Sequence, residues 1–344
     1  MCQALLKSGV LSGMAKVLVT GADGMLGSSI CRELMAQGYS VVAMCLPVSP
    51  AKTLQGLAIE IIRGDVLDKP FLLEKAKGCD YVIHVAALTN VWPRRIKKLW
   101  DVNVQGTINM MEVAEELKMK RMVHIGSASS FNHGSMQHPG TETSVFDGWK
   151  YGMDYLDTKF RAQEILLKKH DETGFPVLII NPTFMIGPFD SGPSSGQMLI
   201  GLHRGSVPGY SVGGKNFVCS FDVAKAAVNA LTMGRTGQCY IAGNQNIPFH
   251  DFFKTATELM GKPFTLRAFP PSLVLLAGAA NSALARLTGK APKLSYTMAR
   301  MGNVSQYFSP EKARQELAMP QTPIEEGIKQ CLDWFKQNGY LHEA

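Results

Sequence analysis

The segment YGMDYLDTK, residues 151–159, sets a phenol four positions before an ammonium, Tyr155 and Lys159. On a helix, residues four apart share a face. A free tyrosine titrates near about 10, and a neighbouring ammonium favours the phenolate and lowers that value. A tyrosine tuned in this way can give or take a proton at a carbinol oxygen while hydride moves at the adjacent carbon. The lysine has a second use, hydrogen bonding to ribose hydroxyls. Tyr151 has Tyr155 rather than a cation one turn on, so its expected role is packing. Such proton transfer also asks for a hydroxyl that polarises the reacting oxygen. Ser127, closing the strand pattern RMVHIGS, meets that need, with Ser129 and Ser130 as competitors. Asn103, in WDVNVQGT, is placed to hold a water or to lock the lysine.

These groups must be held by something rigid, and the first half of the chain supplies it. KVLVT, YSVVAMC, AIEIIRGD, DYVIHVAA, RMVHIGS and FPVLIINP are short apolar strand patterns separated by helical ones. Strands that are apolar throughout and alternate with helices specify a parallel sheet covered on both faces. The expected fold class is therefore α/β, a doubly wound Rossmann sheet with a smaller, mainly helical C-terminal substrate lobe. The serine would sit at the C-terminal edge of that sheet. Between the first strand and first helix, TGADGMLG spaces Gly21, Gly24 and Gly27 as GxxGxxG. Glycines there permit a tight turn and let a pyrophosphate approach the helix N-terminus.

Adenosine selectivity is read at the end of the second strand, where an acidic residue would bind the ribose hydroxyls of NAD. Cys45 and Leu46 stand there and no carboxylate does, so NADP is the expected cofactor, with NAD the alternative. Lys52 lies close enough in sequence to meet a phosphate or to stay solvated. Asp65, ending the third strand, is positioned either to accept from an adenine amine or to cap a turn.

The glycine turn, the AA after the fourth strand, NVQGT, the strand-end serine and YxxxK occur in one order. That order resembles the extended branch of the short-chain dehydrogenase/reductase superfamily, across roughly residues 15–340. HVAA, YLDTKFRAQE, NPTFMIGP and FVCSFDVAKA match the branch's pattern in turn, and the C-terminal FSPEKARQELAMPQTPIEEGIKQCLDWFKQNGY looks like the ends of its dihydroflavonol reductase-like and 3β-hydroxysteroid dehydrogenase-like members. The resemblance implies Ser127, Tyr155 and Lys159 as catalytic, with Asn103 in support. It implies a dinucleotide held by Gly21, Gly24, Met25, Leu26, Gly27, Asp65, Val66, Ala86, Ala87, Tyr155, Lys159 and Pro182. It also implies a homodimer through the 100–117 and 150–170 helices. The function expected is interconversion of a carbonyl and a secondary alcohol on an apolar small molecule of flavanone-like or sterol-like size. The alternative is an NAD-dependent sugar-nucleotide epimerase or dehydratase. Two residues depart from the branch's pattern. Phe131-Asn132 replace its Tyr-Gly, and Asn181 replaces the Arg before Pro182. Basic residues for a diphosphate are sparse, with only His203, Arg204 and Lys215 nearby.

The 344 residues, 46% hydrophobic and 18% charged, suit one large globular unit. The net charge of +7 is scattered, PRRIKK at 93–98 being the nearest thing to a cluster, which speaks against a nucleic-acid face. Seven cysteines without CxxC spacing argue against disulfides or a metal site and for a reducing, cytoplasmic setting. No apolar run is long enough to span a bilayer. Residues 1–13 are expected to be a disordered extension, 14–182 the dinucleotide-binding domain, and 183–344 a mixed region completing it and forming the substrate lobe. The apolar run at 271–289 is expected as a core helix of that lobe, with a greasy pocket wall or peripheral membrane contact as alternatives. His133 and His138 are expected to be solvated loop residues.

Overall fold

The computed structural model describes residues 14–341, so the extension expected at 1–13 lies outside the described residues. The strands are β1 (Lys16–Thr20), β2 (Ser40–Cys45), β3 (Glu60–Arg63), β4 (Tyr81–His84), β5 (Arg121–Ile125) and β6 (Val177–Pro182), followed by β7 (Phe184–Ile186), β8 (Gly214–Cys219), β9 (Cys239–Ala242), β10 (Gln245–Pro248) and β11 (Ser305–Gln306). Seven of them form a parallel sheet in the order β3-β2-β1-β4-β5-β6-β9. The order reverses between β1 and β4, and a crevice outside the strand ends at such a switch point is where α/β sheets take ligands.

Side-chain alternation explains why the strands read as unbroken apolar runs. Val17, Val19, Val41 and Ala43 pack into one layer with the helices Met25–Ala36 and Ser220–Asn229. Leu18, Val42, Val82 and Met122 point the other way, against the helix Gly106–Glu116 and Leu166 of the helix Asp154–Thr173. With both faces covered, the central strands are apolar on both sides along most of their length.

A polar belt crosses this core near its C-terminal edge. Thr20, His84 and His124 are register neighbours on β1, β4 and β5, and all are buried. Nδ1 of His84 shares a 2.8 Å hydrogen bond with Thr20, and Nε2 meets Thr107 at 3.2 Å. Burial, then the charge of Lys159, pushes His84 down to about 3, so the ring is neutral. The Thr20 hydroxyl also accepts from the Val85 and Ala86 amides, both at 3.2 Å.

The second sheet is small: β8 pairs β10, β11 and β7. Phe184–Ile186 lies in a stretch whose Gly, Pro and Ser content reads as loop, and β10 and β11 carry no apolar alternation. Asn216 on β8 holds this lobe together. Its carbonyl accepts from Thr183 at 2.8 Å and the Asn244 amide at 2.9 Å, while its amide reaches Asn246 at 2.7 Å and the Phe308 carbonyl at 3.1 Å. The helix Pro271–Thr288 departs from the core role expected of it, because only Val274, Gly278, Ser282 and Ala285 are buried.

Candidate active site

The strand β1 runs into the glycine turn, whose three glycines have different reasons to lack a side chain. Gly21 has φ +63°, and a Cβ there would stand 2.8 Å from the Ala86 Cα. A Cβ on Gly27 would lie 2.2 Å from the Gly21 carbonyl oxygen. These two are demanded by the fold itself. Gly24 is not: its φ of −75° suits any residue, and a Cβ would meet only the Gly21 oxygen at an ordinary 3.5 Å. It leaves an open cradle at the start of the helix Met25–Ala36, which has no side-chain cap and no acid in its first turn. An uncapped helix N-terminus beside open backbone fits a pyrophosphate. Leu26 is buried behind this turn and Met25 is half-buried at its rim.

Opposite the turn stand β5 and the helix Asp154–Thr173. Two buried aspartates fix where that helix begins. Arg95 donates to Asp154 at 2.7 Å and Asp157 at 2.9 Å, and the Ile96 amide donates to Asp154 at 2.6 Å. Burial raises Asp154, but bonds from Arg95, Ile96 and Trp100 outweigh it and leave the carboxyl lowered. Part of the basic run at 93–98 therefore anchors the helix on which Tyr155 and Lys159 ride.

The structure brings Ser127, Ser129, Tyr155 and Lys159 together. The Ser127 and Ser129 hydroxyls are 2.7 Å apart, and Ser127 lies close enough to the Tyr155 phenol to favour its ionised form. Ser130 is buried behind them without a side-chain partner among the described residues. Lys159 is buried, and its Nζ donates to the Ile125 carbonyl at 2.9 Å. Burial pushes the lysine down to about 8. The Tyr155 phenol is raised by burial, against the pull of Ser127. The lowering expected from the ammonium does not appear in the protein alone, where only Ser127 opposes the loss of water.

Asn103 is buried in a π-helical turn, Asp101–Gln105, where such an insertion redirects a side chain inward. Its carbonyl accepts from the Leu88 amide at 2.7 Å, and its amide reaches the Leu88 carbonyl at 3.0 Å and Thr158 at 3.1 Å. The side chain is thus spent on tying the segment after β4 to the tyrosine helix, and its bonds go to Thr158 rather than Lys159. Sequence reading missed Asn181 as a support. It donates to the Ser127 carbonyl at 3.0 Å and to Gln163 at 2.8 Å, bracing the serine from β6 just before Pro182. Tyr151 is buried with Phe146, Met153 and Leu156, as packing predicts.

On the adenosine side, Cys45 shares the inward parity of Val41 and Ala43 and is 1% exposed in the core. It cannot face a ribose. Leu46, 52% exposed, is the residue at the strand end that can. Arg63 on β3 pairs in register with Cys45 and its guanidinium hydrogen-bonds the Ser49 carbonyl, which brings a cation to this place. Lys52 is exposed in the single turn Lys52–Leu54. Asp65 accepts from the Leu67 amide at 3.0 Å in a turn. Val66 packs under Gly106, Ala86 faces Gly21, and Ala87 follows at the crevice.

The fold and the glycine turn define a dinucleotide-binding α/β enzyme, and the comparisons place it more narrowly. A model of the NAD dependent epimerase/dehydratase family matches residues 17–243, and the chain belongs to that family. It is an NAD(P)-dependent oxidoreductase of the extended short-chain dehydrogenase/reductase type. A putative dihydroflavonol 4-reductase of Synechocystis sp. is 28% identical over 328 residues, covering 94% of this chain and 95% of that one. Sterol demethylase protein B of Methylococcus capsulatus is 27% identical, covering 94% and 99%. The solved structure of gox2253 superposes with a TM-score of 0.84 at 29% identity, covering 95% and 99%.

Two outcomes follow from this geometry. Gly24→Ala is expected to melt like the parent yet bind dinucleotide at least about tenfold more weakly, whereas Gly27→Ala should lose roughly 1–3 kcal/mol of stability to overpacking. Thermal melts with and without cofactor separate the two, and a Gly24→Ala protein that binds normally would refute the cradle. The second outcome concerns Lys159. Its folded pKa lies below its unfolded value of 10.5, so the folded state holds fewer protons between pH about 8 and 10.5 and this group's stability contribution rises with pH there. Lys159→Met should therefore melt above the parent at pH 7, with the gap closing across that window. Melting curves of both proteins from pH 7 to 10.5 test the sign.

Proposed function

We propose that the protein interconverts a ketone and a secondary alcohol on an apolar small molecule, using NADP(H). The observation that carries this reading is the Ser129–Ser127–Tyr155 hydroxyl chain with Lys159 buried one helical turn along, all at the sheet's C-terminal edge. The nicotinamide supplies or accepts the hydride when bound. Ser127 donates a hydrogen bond to the substrate oxygen, with Ser129 holding its rotamer. Tyr155 passes the proton to or from that oxygen. Lys159 presents an ammonium whose field favours the phenolate and whose N–H groups suit ribose hydroxyls. Asn103 and Asn181 are positioning residues for the helix and the serine.

An apolar substrate is in keeping with the apolar packing beside the phenol, where Phe146, Tyr151 and Met153 form a buried cluster with Met301 and Tyr155 packed against it. The relatives named for dihydroflavonol and sterol chemistry point the same way. A nucleotide sugar has less support. The Arg204 guanidinium is exposed and bonded to the Tyr340 carbonyl, and Lys215 turns to Gln306 and the Phe184 ring. NADP is favoured over NAD by the missing carboxylate at Leu46 together with the cation of Arg63.

Tyr155→Phe keeps the ring and removes the exchangeable proton, so single-turnover hydride transfer on a panel of cyclic ketones should fall by about 10²- to 10⁴-fold. Tyr151→Phe should stay within a few-fold of the parent. A fully active Tyr155→Phe, or a dead Tyr151→Phe, would overturn the assignment. For the cofactor, Arg63→Gln should weaken NADP(H) about tenfold, roughly one charge-assisted hydrogen bond, and leave NAD(H) nearly unchanged. Fluorescence titration of both cofactors decides it, and a parent that already prefers NAD would sink the NADP reading.

A further inference from the structure

We propose that the helix Pro271–Thr288 docks the protein onto an anionic lipid bilayer, lying in the plane of the interface. The helix is predominantly apolar but buried along one narrow stripe. Val274, Gly278, Ser282 and Ala285 face inward, and the contact is close, since a Cβ on Gly278 would stand 2.8 Å from the Ala299 Cβ. The Ser282 hydroxyl accepts from the Tyr296 amide at 2.8 Å, locking the helix on the following one, Tyr296–Gly302. Nearly opposite, Leu273, Leu276, Leu284 and Leu287 recur at helical spacing on the outer side, with Leu276 67% and Leu287 86% exposed. A helix apolar on both sides belongs in a core or against lipid, and here one side has no protein over it among the described residues.

Charge selects the occupant. Between Glu258 and Glu311 there is no acidic residue, while Lys262, Arg267, Arg286, Lys290, Lys293 and Arg300 supply six cations. Arg286, Lys290 and Lys293 are exposed at the helix's C-terminal end, beside Leu284 and Leu287. Apolar side chains flanked by cations alone fit a surface with an apolar interior and anionic headgroups. A second copy of this chain fits worse, because a two-fold contact through the helix would set these cations against their own images. No helix among the described residues is long and apolar enough to cross a membrane, so the contact is peripheral. Docking there also has an address. Met301, on the helix beneath, packs on the cluster of Tyr151 and Leu156 that Tyr155 joins, so the lipid face lies one helix away from the candidate active site.

The test is co-sedimentation of the full chain with vesicles of phosphatidylcholine alone and of an equal mixture of phosphatidylcholine and phosphatidylglycerol. The parent should pellet with the mixed vesicles and at least about tenfold less with neutral ones, and about 1 M salt, which screens charges within about 3 Å, should weaken the pelleting. Leu276→Glu/Leu287→Glu should abolish pelleting while the melting temperature and NADP(H) titration stay at parental values. Arg286→Glu/Lys290→Glu/Lys293→Glu should remove the preference for the anionic vesicles. The proposal is wrong if the parent stays in solution with both vesicles or pellets equally with them, or if the leucine variant pellets like the parent. Parental self-association in sedimentation velocity that the leucine variant abolishes, without vesicle binding, would assign the face to a second copy instead.

Discussion

An ammonium group sealed inside a protein is expensive to keep, and among the described residues Lys159 is kept with a single carbonyl, that of Ile125, for company. The surrounding polar groups follow from that constraint. Neighbouring His84 and His124 are buried and both are pushed down, so no second cation competes with the first. The helix that carries the lysine is fastened from below by Asp154 and Asp157 to Arg95, and from the side by Thr158 to Asn103. Loosening either tether would let the side chain swing toward water, where an ammonium is cheaper to hold and useless for tuning a phenol. The stability lost by burying the charge is the kind of local deficit that functional sites carry and the rest of the fold offsets.

The parts of this architecture that were legible beforehand are those in which one physical requirement fixes many residues at once. A sheet covered on both faces leaves apolar runs of strand length, so the β1 to β6 segments could be recognised. The Tyr155–Lys159 spacing is likewise fixed by helix geometry. Cys45 was misjudged although strand parity with Val41 and Ala43 already pointed it inward. The short strands β7, β10 and β11 could not be recognised, because two to four half-buried residues leave no period to detect. Arg63 was overlooked for a different reason: its nearness to Cys45 depends on which strand lies beside β2, and a linear sequence does not state that. The bare outer face of the helix at 271–288 was hidden by composition, which records how apolar a helix is and not how much protein surrounds it.

Two glycine requirements that look alike in sequence separate in space. Gly21 and Gly27 are glycines because the chain passes close to itself, whereas Gly24 is one although the chain leaves it room. A motif therefore mixes glycines that the fold demands with one that it does not. Only the distance to the nearest backbone atom distinguishes them. The same distinction applies to Asn103 and Asn181, whose polar side chains bond to the frame around the reacting groups.

The loop after Ser127 and Ser129 is pinned from far down the chain. The Gly134 and Gly140 amides both donate to the Tyr307 carbonyl at 3.0 Å, and Glu142 receives the Ile241 amide at 2.7 Å. During synthesis, residues 127–159 leave the ribosome well before residues 239–242 and 305–308 that close over them. The residues of the candidate site are thus translated early but caged late. Long-range closures of this kind slow folding and delay the last ordering step until the distant partner arrives. A chain shortened before residue 305 would lack this clasp while still containing every residue of the hydroxyl chain and its lysine, so possession of the motif and assembly of the site are separate events.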